Sequence, residues 1–123
     1  MDALGHALGT RGRLPHGTAL AAVLPQVLGF YLGTRDRELG LVGIALGIAS
    51  PRDPVAVAAQ AGVDGVASLI EAVGQRRTLR QLGLGVESIP ALVADALADP
   101  AINNSPRLPT PAEATAILAS VAG

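Results

Sequence analysis

Two histidines, His6 and His16, are the only imidazoles in the chain, and both lie in the stretch HALGTRGRLPHG. Asp2 stands four residues before His6, so on a helix the carboxylate and the ring share a face. His16 follows Pro15 and precedes Gly17; the proline fixes the approach and the glycine leaves room beside the ring. Imidazole suits iron, zinc or nickel, and a carboxylate completes a mixed nitrogen and oxygen donor set. By residue type, Asp2, His6 and His16 are therefore candidate contributors to a divalent-metal site. By spacing they are not, because two histidines this far apart match no recognised ligand pattern. A histidine at a helix start also serves as a capping or packing residue, and at this level both readings stand.

The elements that must carry these side chains read as helices. Residues 2 to 10 look helical and end near Gly9, and TRGRLPHG is a loop. Thr18 is placed to cap a second helix running to about Gly33, kinked by Pro25. Leu39 to Ala49 form a third apolar segment. Its Gly40, Gly43 and Gly47 would make a bare stripe for close helix approach, at about 1 kcal/mol of helix propensity each. Asp53 and Pro54 read as a helix start, with Asp as cap and Pro in the first turn. Val55, Ala59, Val63, Val66, Ile70 and Val73 then recur at three or four residues until Gly74. After the connector QRRTLRQLGLG, Ser88 is placed to cap a helix whose Ile89, Leu92, Val93, Ala96 and Leu97 face inward. Asp95 and Asp99 face outward there, and Asp99-Pro100 ends the helix. AINNSPRLP reads as an extended loop. Thr110-Pro111-Ala112-Glu113 is a capping box, and Ile117, Leu118 and Val121 supply the buried face behind it. No stretch alternates at period two. The expectation is an all-α domain of about six helices spanning 1–123, with no repeat and no linker.

Composition narrows the function classes. Half of the residues are apolar, with one Phe and one Tyr as the only aromatics. Such a core suits closely packed helices better than a sheet sandwich. The formal net charge is −1, and all nine basic residues are Arg, so no electrostatic case exists for nucleic acid or an anionic membrane. Arg76, Arg77 and Arg80 read as a solvated connector before an anion site, and Asn103 and Asn104 as turn residues. The absence of cysteine fits a cytoplasmic location. Asp2 sits where a signal peptide would carry a basic residue. The uncharged run between Arg13 and Arg35 is broken by Pro15, His16, Pro25 and Gln26, which argues against a transmembrane span.

The segment HALGTRGRLPHGTALAAVLPQVL resembles the iron-containing (group III metal-dependent) alcohol dehydrogenase family. That family shows H-x-x-x-H-x-L-G, a short loop, P-H-G, and then a helix of the form N-A-x-x-L-P-H-V. GVESIPALVADALADP resembles its x-I-P-x-L helix start, and INNSPRLPTPAEATAILASVAG its N-P-R-x-x-T-x-x-E-x-x-x-I-L tail. The resemblance covers essentially the whole chain. It implies the C-terminal helical bundle of the dehydroquinate synthase-like fold, which faces a dinucleotide-binding domain across a cleft. It also implies Fe or Zn and NAD(P) as cofactors. By position His16 matches the P-H-G metal ligand, His6 the non-ligand histidine beside the nicotinamide, and Asp2 the place of a ligand histidine. Two further ligands belong to an earlier helix, before residue 1.

Departures accompany the matches. The family's Asn is Leu20, and the His of L-P-H-V is Gln26. LGLGV at 82–86 lacks the third glycine and the preceding strand of a dinucleotide loop. The resulting expectation is a truncated C-terminal domain of an NAD(P)-dependent alcohol dehydrogenase-like oxidoreductase, or of a maleylacetate reductase-like one. Its cofactor domain is absent, so it is inactive alone and holds neither cofactor stably. The alternative is a non-catalytic helical module that self-associates or docks with a missing N-terminal domain.

Overall fold

A computed structural model describes residues 1–123, and every regular element in it is helical. The α-helices are α1 (Asp2–Gly12), α2 (His16–Phe30), α3 (Asp36–Ala45), α4 (Val55–Ala72), α5 (Ile89–Ala98) and α6 (Pro111–Ala119). Short 3₁₀ turns at Val86–Ser88 and Pro100–Asn104 flank α5. The chain divides into two compact units: Met1–Leu24 with Gln75–Gly123, and Pro25–Gly74. Helix α2 contributes its first turns to one unit and its last turns to the other.

The first unit is built by α1 packing on α5 and α5 on α6. Leu8, Leu79, Leu92 and Leu118 are wholly buried there, with Ala3, Ala7, Ala96 and Ala114 filling the narrow spaces between them. Alanine lets helices lie close, and leucine supplies the buried area. Leu79 also donates its backbone N–H to the carbonyl of Val121, tying the connector after residue 75 to the end of α6. The capping box of α6 forms as the sequence implies: Thr110 Oγ accepts from the Glu113 N–H, and the Glu113 carboxylate accepts from the Thr110 N–H.

The second unit is dominated by α3 against α4. Leu39, Ala59 and Val63 form its core, with Leu28, Tyr31 and Leu32 packed on it. Glycine makes the close approach. A Cβ added to Gly62 would sit 2.1 Å from the Leu39 carbonyl oxygen, and one added to Gly43 would sit 2.8 Å from that of Ala58. Helix α4 is also long and apolar enough to cross a membrane by length and composition, a test that core helices pass as well.

Several boundaries differ from the sequence expectation, each for a local reason. Helix α1 runs on through Gly12, and Arg13 closes it in the left-handed region at φ 51°. Helix α2 begins at His16, so Thr18 lies inside it, and it ends at Phe30; Gly33 turns the chain at φ 85°. Helix α3 starts at Asp36, and Gly47, at φ 76°, lies beyond it and so leaves the glycine stripe to Gly40 and Gly43. Asp53 does not cap α4; its carboxylate accepts from the Ser50 N–H and closes the preceding turn, while Pro54 takes the cap position. Val55 and Val73 are exposed although they match the apolar period. Residues 100–104 coil into a 3₁₀ turn where an extended loop was expected, because Asp99 accepts from the Ala101 N–H and nucleates it.

Candidate functional site

The first unit brings His6 and His16 together. His6 projects from the middle of α1, and His16 is the first residue of α2, behind Pro15. Their rings stack with centroids 5.6 Å apart and planes inclined by 29°. Both are exposed, so the pair is presented at the surface of its unit.

A carboxylate completes this cluster, and it is Asp99. Its Oδ2 lies 2.7 Å from His6 Nδ1, while its Oδ1 accepts from the Ala101 N–H at 2.8 Å. These contacts, the backbone one first and the His6 bond second, hold the Asp99 carboxyl below the ordinary carboxylate range. One turn earlier on α5, Asp95 accepts from Arg11 Nε at 2.5 Å, which lowers the Asp95 carboxyl and raises the Arg11 guanidinium. As position advances along α1 from His6 to Arg11, the partner retreats along α5 from Asp99 to Asp95. The two bridges are thus rungs of one antiparallel helix pair.

Asp2 occupies the exposed first turn of α1, where a negative charge complements the helix dipole. No group of three or more His, Asp or Glu side chains is placed to hold a metal ion. Three protein ligands are the usual minimum for a catalytic divalent cation, so this donor set does not fit a complete metal centre within the chain. Leu20, at the position of the family's asparagine, packs over Gly5, where an added Cβ would sit 2.4 Å from Leu20 Cδ2. Gln26 has its side-chain oxygen buried without a hydrogen-bond partner.

Elsewhere, Leu46, Ile48, Ala61, Asp64, Gly65, Ser68 and Leu69 line an open, mainly apolar groove in the second unit. Its one carboxylate, Asp64, accepts from the Gln60 amide. Arg77 donates to the carbonyl of Arg76 within the connector, and Asn103 and Asn104 lie exposed on the 3₁₀ turn.

Sequence reasoning placed Asp95 and Asp99 on the outer face of α5 and missed their partners. The only local clue at Asp99 was the Asp-Pro pair, which marks a turn start and says nothing of a histidine 93 residues away.

Comparison with known proteins supplies the remaining findings. The sequence profile of the Fe-containing alcohol dehydrogenase family, C-terminal, matches residues 1–122. The probable alcohol dehydrogenase EutG of Salmonella typhimurium (strain LT2) is 33% identical over 111 residues, covering 90% of this chain and 27% of that protein. Lactaldehyde reductase of Escherichia coli (strain K12) is 33% identical over 107 residues, covering 85% of this chain and 27% of the relative. Among solved structures, 1,3-propanediol oxidoreductase superposes with a TM-score of 0.92 at 26% identity, over 98% of this chain and 31% of that one. The chain therefore spans little more than a quarter of the length of the curated relatives it matches.

Proposed function

Because the chain belongs to the iron-containing alcohol dehydrogenase family, matching its C-terminal region, we propose that it is the metal-site-bearing part of an NAD(P)-dependent alcohol dehydrogenase-like oxidoreductase. The observation that carries this reading is the meeting of His6 and His16 at one surface, in the order and spacing of the family's motifs. His16 is assigned as one ligand of a divalent cation, with Asp2 at a second ligand place. His6 is assigned to the nicotinamide side. The remaining ligands and the dinucleotide site would come from residues outside these 123. With those residues in place, His16 and Asp2 would help to hold a cation whose chemistry would be Lewis-acid polarisation of a substrate oxygen, and His6 would stand beside an NAD(P) whose chemistry would be hydride transfer.

Within the chain, Pro15 holds the backbone ahead of His16, and α1 carries His6 against the His16 ring. One imidazole and one carboxylate without a third donor hold a cation weakly. The 123-residue chain on its own is therefore expected to show no NAD(P)H turnover with small aldehydes. Calorimetric titration with Fe²⁺ or Zn²⁺ is expected to give weak binding that His16→Ala abolishes. Metal-dependent turnover by the isolated chain, or metal binding indifferent to His16→Ala, would overturn the assignment.

A second reading rests on a separate observation. Leu41, Val42, Leu46, Ile48, Val55, Val57, Leu69 and Val73 are exposed large apolar residues, and all belong to the second unit. Exposed apolar surface of this kind favours self-association with a second copy of the chain as a non-catalytic module. Sedimentation is expected to show dimers that Leu41→Glu with Leu69→Glu dissociates. A monomer at all concentrations removes this reading.

A further inference from the structure

The resemblance gives roles to His6 and His16 but none to Asp99. Three observations converge on that carboxylate. Its Oδ2 meets His6 Nδ1 at 2.7 Å across 93 residues of sequence. Its other oxygen is taken by the Ala101 N–H, so it cannot swing away without opening the 3₁₀ turn it caps. His6 is further restrained by the His16 ring stacked on it, and the Arg11–Asp95 rung fixes the register of α1 against α5.

We propose that Asp99 is a positioning residue that holds neutral His6 in the tautomer with its proton on Nδ1, leaving Nε2 as a bare acceptor. An ionised carboxylate only accepts hydrogen bonds, so the nitrogen facing it must carry the hydrogen. The pair contributes little to stability, because a hydrogen bond at a partly exposed rim replaces one that each group would make to water. What it supplies is a fixed ring: orientation and proton position are set before anything binds, as when a carboxylate orients an imidazole behind a catalytic centre. The tautomer follows from this geometry alone. Its use beside a nicotinamide rests on the reading given under Proposed function.

The test is nitrogen-15 NMR of the histidine rings in the 123-residue chain, at about pH 9, where an ordinary imidazole is neutral. His6→Gln assigns the resonances. The wild type is expected to show a pyridine-type Nε2 and a pyrrole-type Nδ1 at His6. Asp99→Asn keeps the cap, since asparagine serves there as well as aspartate. With its oxygen on the Ala101 N–H, it turns an amide N–H toward the ring. The two nitrogen types of His6 are then expected to exchange, with His16 as internal control and circular dichroism unchanged. Asp99→Glu is expected to restore the wild-type pattern. A wild-type proton on Nε2, or an Asp99→Asn spectrum identical to wild type, overturns the proposal. Failure of the metal titration would instead remove the dehydrogenase reading and leave these spectra as they are.

Discussion

In the unit formed by Met1–Leu24 and Gln75–Gly123, Leu8, Leu79, Leu92 and Leu118 vanish from the surface. In Pro25–Gly74, helices meet through Gly40, Gly43 and Gly62 while eight large apolar side chains stay exposed. The first unit gains its stability from buried leucine area and adds side-chain bridges and caps at its rim. The second gains it from backbone proximity, which needs hydrogen atoms where other helices carry methyl groups. The first arrangement tolerates loss of a rim contact, and the second tolerates almost no addition at its seam.

The contrast can be broken at its strongest points first. Leu92→Ala empties a wholly buried site in the first unit and is expected to cost about 3 kcal/mol, read as a lower urea midpoint. Gly62→Ala adds one methyl against the Leu39 carbonyl. Even after the gain in helix propensity, it is expected to cost about 2 kcal/mol. An unchanged melting temperature for Gly62→Ala would show that α3 and α4 are not held by close approach. Thr110→Ala removes half of the α6 capping box and is expected to cost about 1 kcal/mol. Gly29→Ala lies on α2 with nothing near its would-be Cβ, and is expected to raise stability by about 0.5 kcal/mol. Opposite signs at Gly29 and Gly62 would separate seam glycines from incidental ones.

The smallest effect comes from acid. Asp95, Asp99 and Glu113, all in the first unit, have carboxyl groups held below their ordinary values by hydrogen bonds and by partners that include Arg11, His6 and Arg107. A lowered folded value means that the contribution is complete above the ordinary carboxylate range. It drains as pH falls through the lowered values. The urea midpoint is therefore expected to decline modestly between about pH 5 and about pH 2, and Asp95→Asn to flatten that decline.

How much of this was legible follows from sequence distance. The α6 capping box, the Gly74 stop and the inward face of α5 at Ile89, Leu92, Val93 and Ala96 are encoded within four residues and stand as read, while Leu97 is only half-buried. Asp53 looked like a helix cap because the same Asx chemistry serves the preceding turn, and only the observed Ser50 N–H separates the two. Val55 and Val73 keep the apolar period yet remain outside, because periodicity marks a face and not what covers it. The His6–Asp99 and Arg11–Asp95 rungs join residues 93 and 84 positions apart. Nothing local to any of the four announces its partner. The histidine pair itself was visible as two residues of the right type, and its stacking required the fold.

Helix α2 passes between the two compact units at Pro25, a residue with no N–H to give the carbonyl of Ala21. One continuous helix thus carries a missing link where its two halves join different cores. Amide exchange along it should accordingly break into two protection classes on either side of that proline, each tracking the opening of its own unit.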